Sequence, residues 1–409
     1  MKILNLEVKD AKIPVVFESS KAMPVVLLRL VFKVAGSCED GEKSGLAKLV
    51  ANMLNEGTLS LGSSEFARLL ETRAINLSAS AGFETLSIDI NCLKEHFSYA
   101  LSKLKELLSE PNFTDEILAR NKALTLGEIA SNENDFDYVA RRGLMEILYP
   151  KTPLGKAGLG NEKSIKSITL KDAKNFVASH LDLANLFVVF GGDVSEAQTA
   201  TVGEILSVLP AGKQRNLSHF ATSDKCETKE IVRPSEQAYI YFGSPYEVPK
   251  QERYKAIVAT FILGEGGFGS RLMEEIRVKR GLAYSAYARN IFNLSYTQIF
   301  GYMQTKNDKK DEAIAVIKDE ILKFSQKGVS KTELAQAKKF LIGSLPLRLE
   351  TLFKRLDIAQ NEFYDGKPLG SFLSELDKIS ALKLDELNHF ITSHAEINKL
   401  SFCVLRNEI

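Results

Sequence analysis

The residue types best suited to chemistry are scattered along this chain. Its five histidines, His96, His180, His219, His389 and His394, show no metal-ligand spacing. Its four cysteines, Cys38, Cys92, Cys226 and Cys403, form no C-x-x-C pair and read as unpaired thiols of a reducing compartment. No Cys–His or Ser–His–Asp arrangement stands out. One motif matches formally: Gly264-x-Gly266-x-x-Gly269 has the spacing of a dinucleotide fingerprint. Such a site needs a strand before the glycines and a helix packed behind them. Here the preceding run YKAIVATFIL (254–263) has helical spacing, so the glycines are expected to end one helix and turn into the next.

A stronger signal lies in GSCEDGEKSGLAKLVANMLNEGT (36–58). Leu46, Leu49, Val50, Met53 and Leu54 recur at helical spacing, Ser44 is placed to act as N-cap, and Gly57 stands where a C-cap glycine is expected. This helix resembles the one that carries the inverted zinc motif H-x-x-E-H in the pitrilysin/insulinase metallopeptidase family, which includes the processing peptidases. The frame G-L-A-H-L-L-E-H-M-L-F-x-G-T is matched at Gly45, Leu46, Ala47, Leu49, Met53, Leu54, Gly57 and Thr58. The three functional positions hold Lys48, Ala51 and Asn52. Two histidines four residues apart share a helix face and grip one metal, while a neighbouring glutamate activates water. An ammonium has no lone pair to give a metal, a methyl group is no base, and an amide oxygen is a poor zinc ligand. The motif is degenerate, so no cofactor is expected in this chain.

The resemblance extends over nearly the whole chain. Glu128 stands 76 residues beyond Asn52, in GEIASNENDFDY, where the family carries its third zinc ligand on a separate helix. An unpaired buried carboxylate is costly, which suggests that Lys48 fills the vacated site and pairs with Glu128; the alternative is that Glu128 simply faces solvent. In SRLMEEIRVKRGLAYSAY (270–287), Arg277 and Tyr284 match an Arg–Tyr pair that reaches the zinc-bearing domain in active members. A guanidinium there grips a substrate carbonyl, and a phenol donates to the oxyanion formed on attack. The stretch NLSASAGFETLSI (76–88) resembles the family's edge strand, on which an extended peptide binds by strand addition.

The elements that must position these residues follow from the pattern. Strand-like alternation marks 15–19, 25–37 and 76–93, and helical periodicity marks 44–56, 63–73, 96–110 and 114–132. The unit 167–194 reads as a helix running into a buried strand. It recurs 214 residues later at 383–405, with Leu170/Leu384, Phe176/Phe390, Ser179/Ser393, His180/His394 and Leu186/Leu400 in register. Segments 113–122 and 329–338 repeat near the same offset. A repeat of half the chain means two copies of one α+β unit. The expected division is an N-terminal domain over 1–212, a linker over 213–234 and a C-terminal domain over 235–409. The family implies two homologous domains, each an antiparallel sheet with helices packed on one face.

Composition narrows the function classes. With 53 basic and 52 acidic side chains the net charge is +1, which gives no reason to expect nucleic acid or an anionic membrane. Glu7, Lys9, Asp10 and Lys12 interrupt any signal-like apolar run, and Arg29 cuts VVLLRLVF, so a cytoplasmic location and no membrane span are expected. The resemblance then implies the non-zinc subunit of a heterodimeric metalloendopeptidase. Its partner would be a homologous subunit carrying the zinc, its substrate a peptide, and its contribution Arg277 and Tyr284. The alternative is a catalytically inactive structural or peptide-binding homologue.

Overall fold

In the computed structural model, which describes residues 1–408, the alternating segments form two sheets. The first contains β1 (Lys2–Val8), β2 (Ala11–Ser19), β3 (Val25–Lys33), β4 (Asn76–Ala81), β5 (Thr85–Leu93) and β6 (Leu186–Gly192), in the order β1-β2-β6-β3-β5-β4. The second contains β7 (Thr228–Val232), β8 (Gln237–Pro245), β9 (Ala286–Phe292), β10 (Thr297–Lys306) and β11 (Ser401–Arg406), in the order β7-β11-β8-β10-β9. Neighbours are antiparallel except β2 with β6 and β7 with β11, so each sheet carries one parallel pair, at the same place when counted from β4 and from β9.

The repeat seen in the sequence is a repeat of structure. The helix Leu170–His180 precedes β6, and Leu384–Ser393 precedes β11. His180 stacks on Phe176 at 4.3 Å and His394 meets Phe390 at 4.5 Å, so the repeat-equivalent histidines hold equivalent packing positions. Both buried strands lie inside their sheets, which is why each reads as an unbroken apolar run rather than an alternation.

Helices form the larger layer on one face of each sheet, as the two-domain α+β reading requires. In β3, Val26, Leu28, Leu30 and Phe32 join the main core together with Leu49, Val50 and Met53 of the helix Leu46–Leu54. The alternate residues are also apolar. Leu27 and Val31 cluster with Val16, Phe187 and Val189 on the opposite face, and these are covered by Leu356 and Ala359 of the helix Leu352–Tyr364. Between them Arg29, part-buried, pairs with Asp89 and donates from Nη1 to Asp357 at 2.8 Å and to Gln360 at 2.6 Å. Arg355 of the same helix bonds Glu18, and the Tyr364 hydroxyl donates to Glu84 at 2.8 Å.

The second sheet is treated the same way. The helix Phe136–Leu148, N-capped by Asp135, packs on β8 and β11. Gly143 makes the approach possible: a Cβ there would stand 2.5 Å from Cys403 Sγ. The Tyr241 hydroxyl donates to Asp137 at 3.0 Å, and burial together with that carboxylate pushes the phenol well above its usual range.

Each covering helix comes from the other half of the sequence. One compact unit comprises Met1–Ala130, Ala157–Leu217 and Arg348–Gly370; the other comprises Ser131–Lys156, Ser218–Leu347 and Ser371–Ile409. The halves 1–212 and 235–409 therefore describe the repeat, while the compact units each take in a piece of the opposite half. Within 213–234, residues Thr228–Val232 are β7 rather than linker. As an edge strand it alternates only between exposed and half-buried residues, which leaves little pattern to read. Among the described residues no helix is long and apolar enough to cross a membrane.

Leu356 is fully buried, so Leu356→Ala removes the centre of this second cluster. It is expected to cost about 2–5 kcal/mol, read as a lower denaturation midpoint at unchanged slope.

Candidate functional site

The helix of the degenerate motif spans Leu46–Leu54. Its N-cap is Gly45 at φ +95°, not Ser44, because the carboxylate of Asp40 does the capping: it accepts from Gly45 N at 2.7 Å and from Ala47 N at 2.8 Å. A Cβ at Gly45 would also collide with the Leu159 carbonyl at 2.5 Å. Gly57 adopts φ +74°, as a residue leaving a helix does. Asp40 is the capping group that the sequence reading missed.

The three motif positions differ in burial. Ala51 is buried in the core, Lys48 is half-buried with its stem near Gly158, and Asn52 is exposed. Glu128, on the helix Asp115–Asn132, is exposed as well. Lys48 and Glu128 form no ion pair within 4.0 Å among the described residues, so the expected pairing is not found. An exposed carboxylate stays hydrated and needs no partner, which removes the reason for the pairing. Among the described residues no three His, Cys, Asp or Glu side chains are grouped so as to hold a metal. Lys48, Ala51 and Asn52 do not fit a zinc ion, and no step through one is derived for this chain.

Arg277 and Tyr284, by contrast, are brought together. Arg277 lies in a wide π-turn, Glu274–Val278, whose Ile276 is buried as an anchor. Glu275 stiffens the turn by pairing with Lys279 and Arg280, and the hydrogen bonds to these cations hold its carboxyl below the usual range. Beyond the turn, Gly281 at φ +60° and the bond from Leu282 N to the Ile276 carbonyl reverse the chain. Tyr284 thereby returns beside Arg277. Nη1 of Arg277 donates to the Tyr284 carbonyl at 2.9 Å, and the guanidinium carbon lies 4.2 Å from the Tyr284 ring centre. Phe268 contributes a second ring, at 4.5 Å from the guanidinium carbon.

Phe268 is 67% exposed and Tyr284 80% exposed, and the Tyr284 hydroxyl makes no hydrogen bond among the described residues. The guanidinium has five N–H donors; the bond to the Tyr284 carbonyl uses one Nη1 hydrogen. This is a cation close to two aromatic rings, next to a phenol with a proton to give. Phe268 escaped the sequence reading, since it lies among the glycines of 263–270. Those glycines follow a helix, Arg253–Thr260, and a π-turn, Phe261–Glu265, so the strand–glycine–helix context of a dinucleotide site is absent among the described residues.

The strand expected at an edge is at an edge. β4 closes the first sheet, and β5 lies inside it. At the middle of β4, however, Ala79 is already engaged: its N–H donates to Asn55 Oδ1 at 2.6 Å, and its carbonyl accepts from Asn55 Nδ2 at 3.0 Å. An incoming strand meets an occupied position there.

These contacts separate the positions by their effect on stability. Lys48→Met and Glu128→Gln are expected to stay within about 0.5 kcal/mol of the parent, whereas Asp40→Ala is expected to cost about 1–2 kcal/mol, all read by chemical denaturation.

Residues 14–162 match the family model described as Insulinase (Peptidase family M16), and residues 167–341 match that of the Peptidase M16 inactive domain. The chain is 43% identical over 409 residues to the non-peptidase homolog YmxG of Helicobacter pylori, covering 99% of this chain and 94% of that protein. It is 23% identical to an uncharacterized zinc protease YmxG of Bacillus subtilis, covering 91% and 92% respectively. Among solved structures, the peptidase M16 inactive domain from Pseudomonas fluorescens superposes with a TM-score of 0.90 at 23% identity, covering 100% of this chain and 98% of that one. With both domain models matched in order and a relative this similar along its whole length, the chain belongs to the M16 peptidase family.

Proposed function

We propose that this chain is the non-zinc subunit of a heterodimeric cytoplasmic metalloendopeptidase, and that it donates Arg277 and Tyr284 to a zinc site on a homologous partner. The observation that carries the reading is the unused chemistry of that pair. Arg277 lies close to the rings of Phe268 and Tyr284, and the phenol of Tyr284 is exposed with no hydrogen bond among the described residues. Preorganised donors of this kind lower the barrier to acyl transfer where negative charge develops on a carbonyl oxygen. The zinc, supplied by the partner, would activate the attacking water. Arg277 would orient the peptide by its carbonyl, and Tyr284 would donate a hydrogen bond to the oxyanion.

A catalytically inactive structural or peptide-binding role is the second reading, and the edge position of β4 favours its peptide-binding form. The bonds between Asn55 and Ala79 weigh against it, because they occupy the middle of that edge.

The test is a one-to-one complex co-purified with the tagged chain and assayed on a fluorogenic peptide. Arg277→Ala and Tyr284→Phe are each expected to lower kcat/KM about 100-fold or more, with complex formation and zinc content of the complex unchanged. An unchanged rate in both variants would reject donation and leave the peptide-holding role.

A further inference from the structure

Beside Tyr284 the second unit has a cleft of about 420 Å³. The loop Gly281–Ser285 forms one wall and the end of β10, Tyr302 to Lys306, forms another. Thr305 is buried, and its hydroxyl donates to the Leu282 carbonyl at 2.6 Å, so the loop is tied to the strand and the cleft is built rather than incidental. A volume of this size accommodates a small ligand or part of a peptide.

The charges of the lining are unequal. Arg280, Lys306 and Lys309 face one acid, Glu312. Lys309 is paired with Glu312 at 3.0 Å, and Arg280 is paired with Glu275 outside the cleft. Lys306 is exposed and makes no ion pair within 4.0 Å among the described residues. The Ser285 hydroxyl is exposed and makes no hydrogen bond among the described residues. The cleft lining thus includes one uncommitted ammonium, two further cations and an unbonded hydroxyl. Tyr284 and Tyr302 supply aromatic surface for the chain that carries that group.

We infer that this cleft is a carboxylate subsite for peptides, with Lys306 as its anchor. The inference rests on the reading that peptides reach Arg277 and Tyr284, since Tyr284 is shared between the cleft and the Arg277 stack. A peptide whose carbonyl meets Arg277 has a neighbouring residue beside the cleft. The carboxylate can come from an acidic side chain or from a free C-terminus. An ammonium is a compact charge without the fork geometry of a guanidinium, so the subsite selects charge more than shape.

Fluorescence anisotropy of the full chain with three labelled peptides of one backbone sequence tests this. One has an internal Glu and an amidated end, one has Gln and a free C-terminal carboxylate, and one has Gln and an amidated end. At low salt, one or both carboxylate peptides are expected to bind about three- to fivefold tighter than the neutral one, and whichever binds tighter identifies the source of the group. Lys306→Gln is expected to remove most of that preference, Lys306→Arg to retain it, and raising the salt to about 0.15 M to shrink it. Equal binding of all three peptides, absence of binding by any, or a preference that survives in Lys306→Gln and in Lys306→Gln combined with Arg280→Gln would overturn the subsite. The readout is binding by the isolated chain. Failure here leaves donation to a partner's zinc intact, and failure of the peptidase test leaves a measured carboxylate preference intact.

Discussion

Each sheet of this protein is apolar on both faces, and that requirement governs the architecture. Main-core residues of β3 alternate with Leu27 and Val31, which also exclude water. Helices of the same half cover one face. The other face needs a cover that its own half does not supply, and in each unit it receives a single helix from the opposite half of the chain. Apolar burial is the main stabilising term in folding, so a sheet with one face open would expose a large patch to water. Neither compact unit is built from a single continuous stretch of sequence.

Polar groups on these second faces are matched to the covering helix. Arg29 meets Asp357 and Gln360, Glu18 meets Arg355, and Glu84 meets Tyr364. In the other unit Asp137 receives the Tyr241 hydroxyl, and Glu146 receives Lys229. Such pairs add little net stability at a partly wet surface. They penalise a misplaced helix, because a misplaced helix leaves charges part-buried and unpaired.

The same economy of local structure shapes the site. Arg277 is carried on a wide π-turn, and Tyr284 returns to it through Gly281, so two residues seven apart in sequence end in stacking contact. The helix Leu46–Leu54 contrasts with this. It keeps its frame, with Gly45, Leu49, Met53 and Gly57 in their structural roles, while Ala51 contributes to the core and Lys48 and Asn52 meet solvent in different degrees. Packing alone accounts for the helix.

Much of this was legible in the sequence. Periodicity marked strand at 15–19, 25–37 and 76–93, the helix read over 44–56 and the second copy of the helix–strand unit, because burial on one face imposes a period of two or of 3.6. The types at 48, 51 and 52 are readable without a structure, since ligand chemistry belongs to the side chain itself. Other features depended on neighbours distant in sequence. The capping of Gly45 and Ala47 by Asp40 turns on a loop conformation. The helices Phe136–Leu148 and Leu352–Tyr364 show which sheet they serve only once that sheet exists. Exposure of Glu128, and with it the absence of a pair with Lys48, is a matter of where two helices place their surfaces. Phe268 joins Arg277 only through the fold of a glycine-rich turn. Local pattern determines what a segment becomes, and tertiary contact determines what it meets, because the free energy of a contact depends on both partners and the water they exclude.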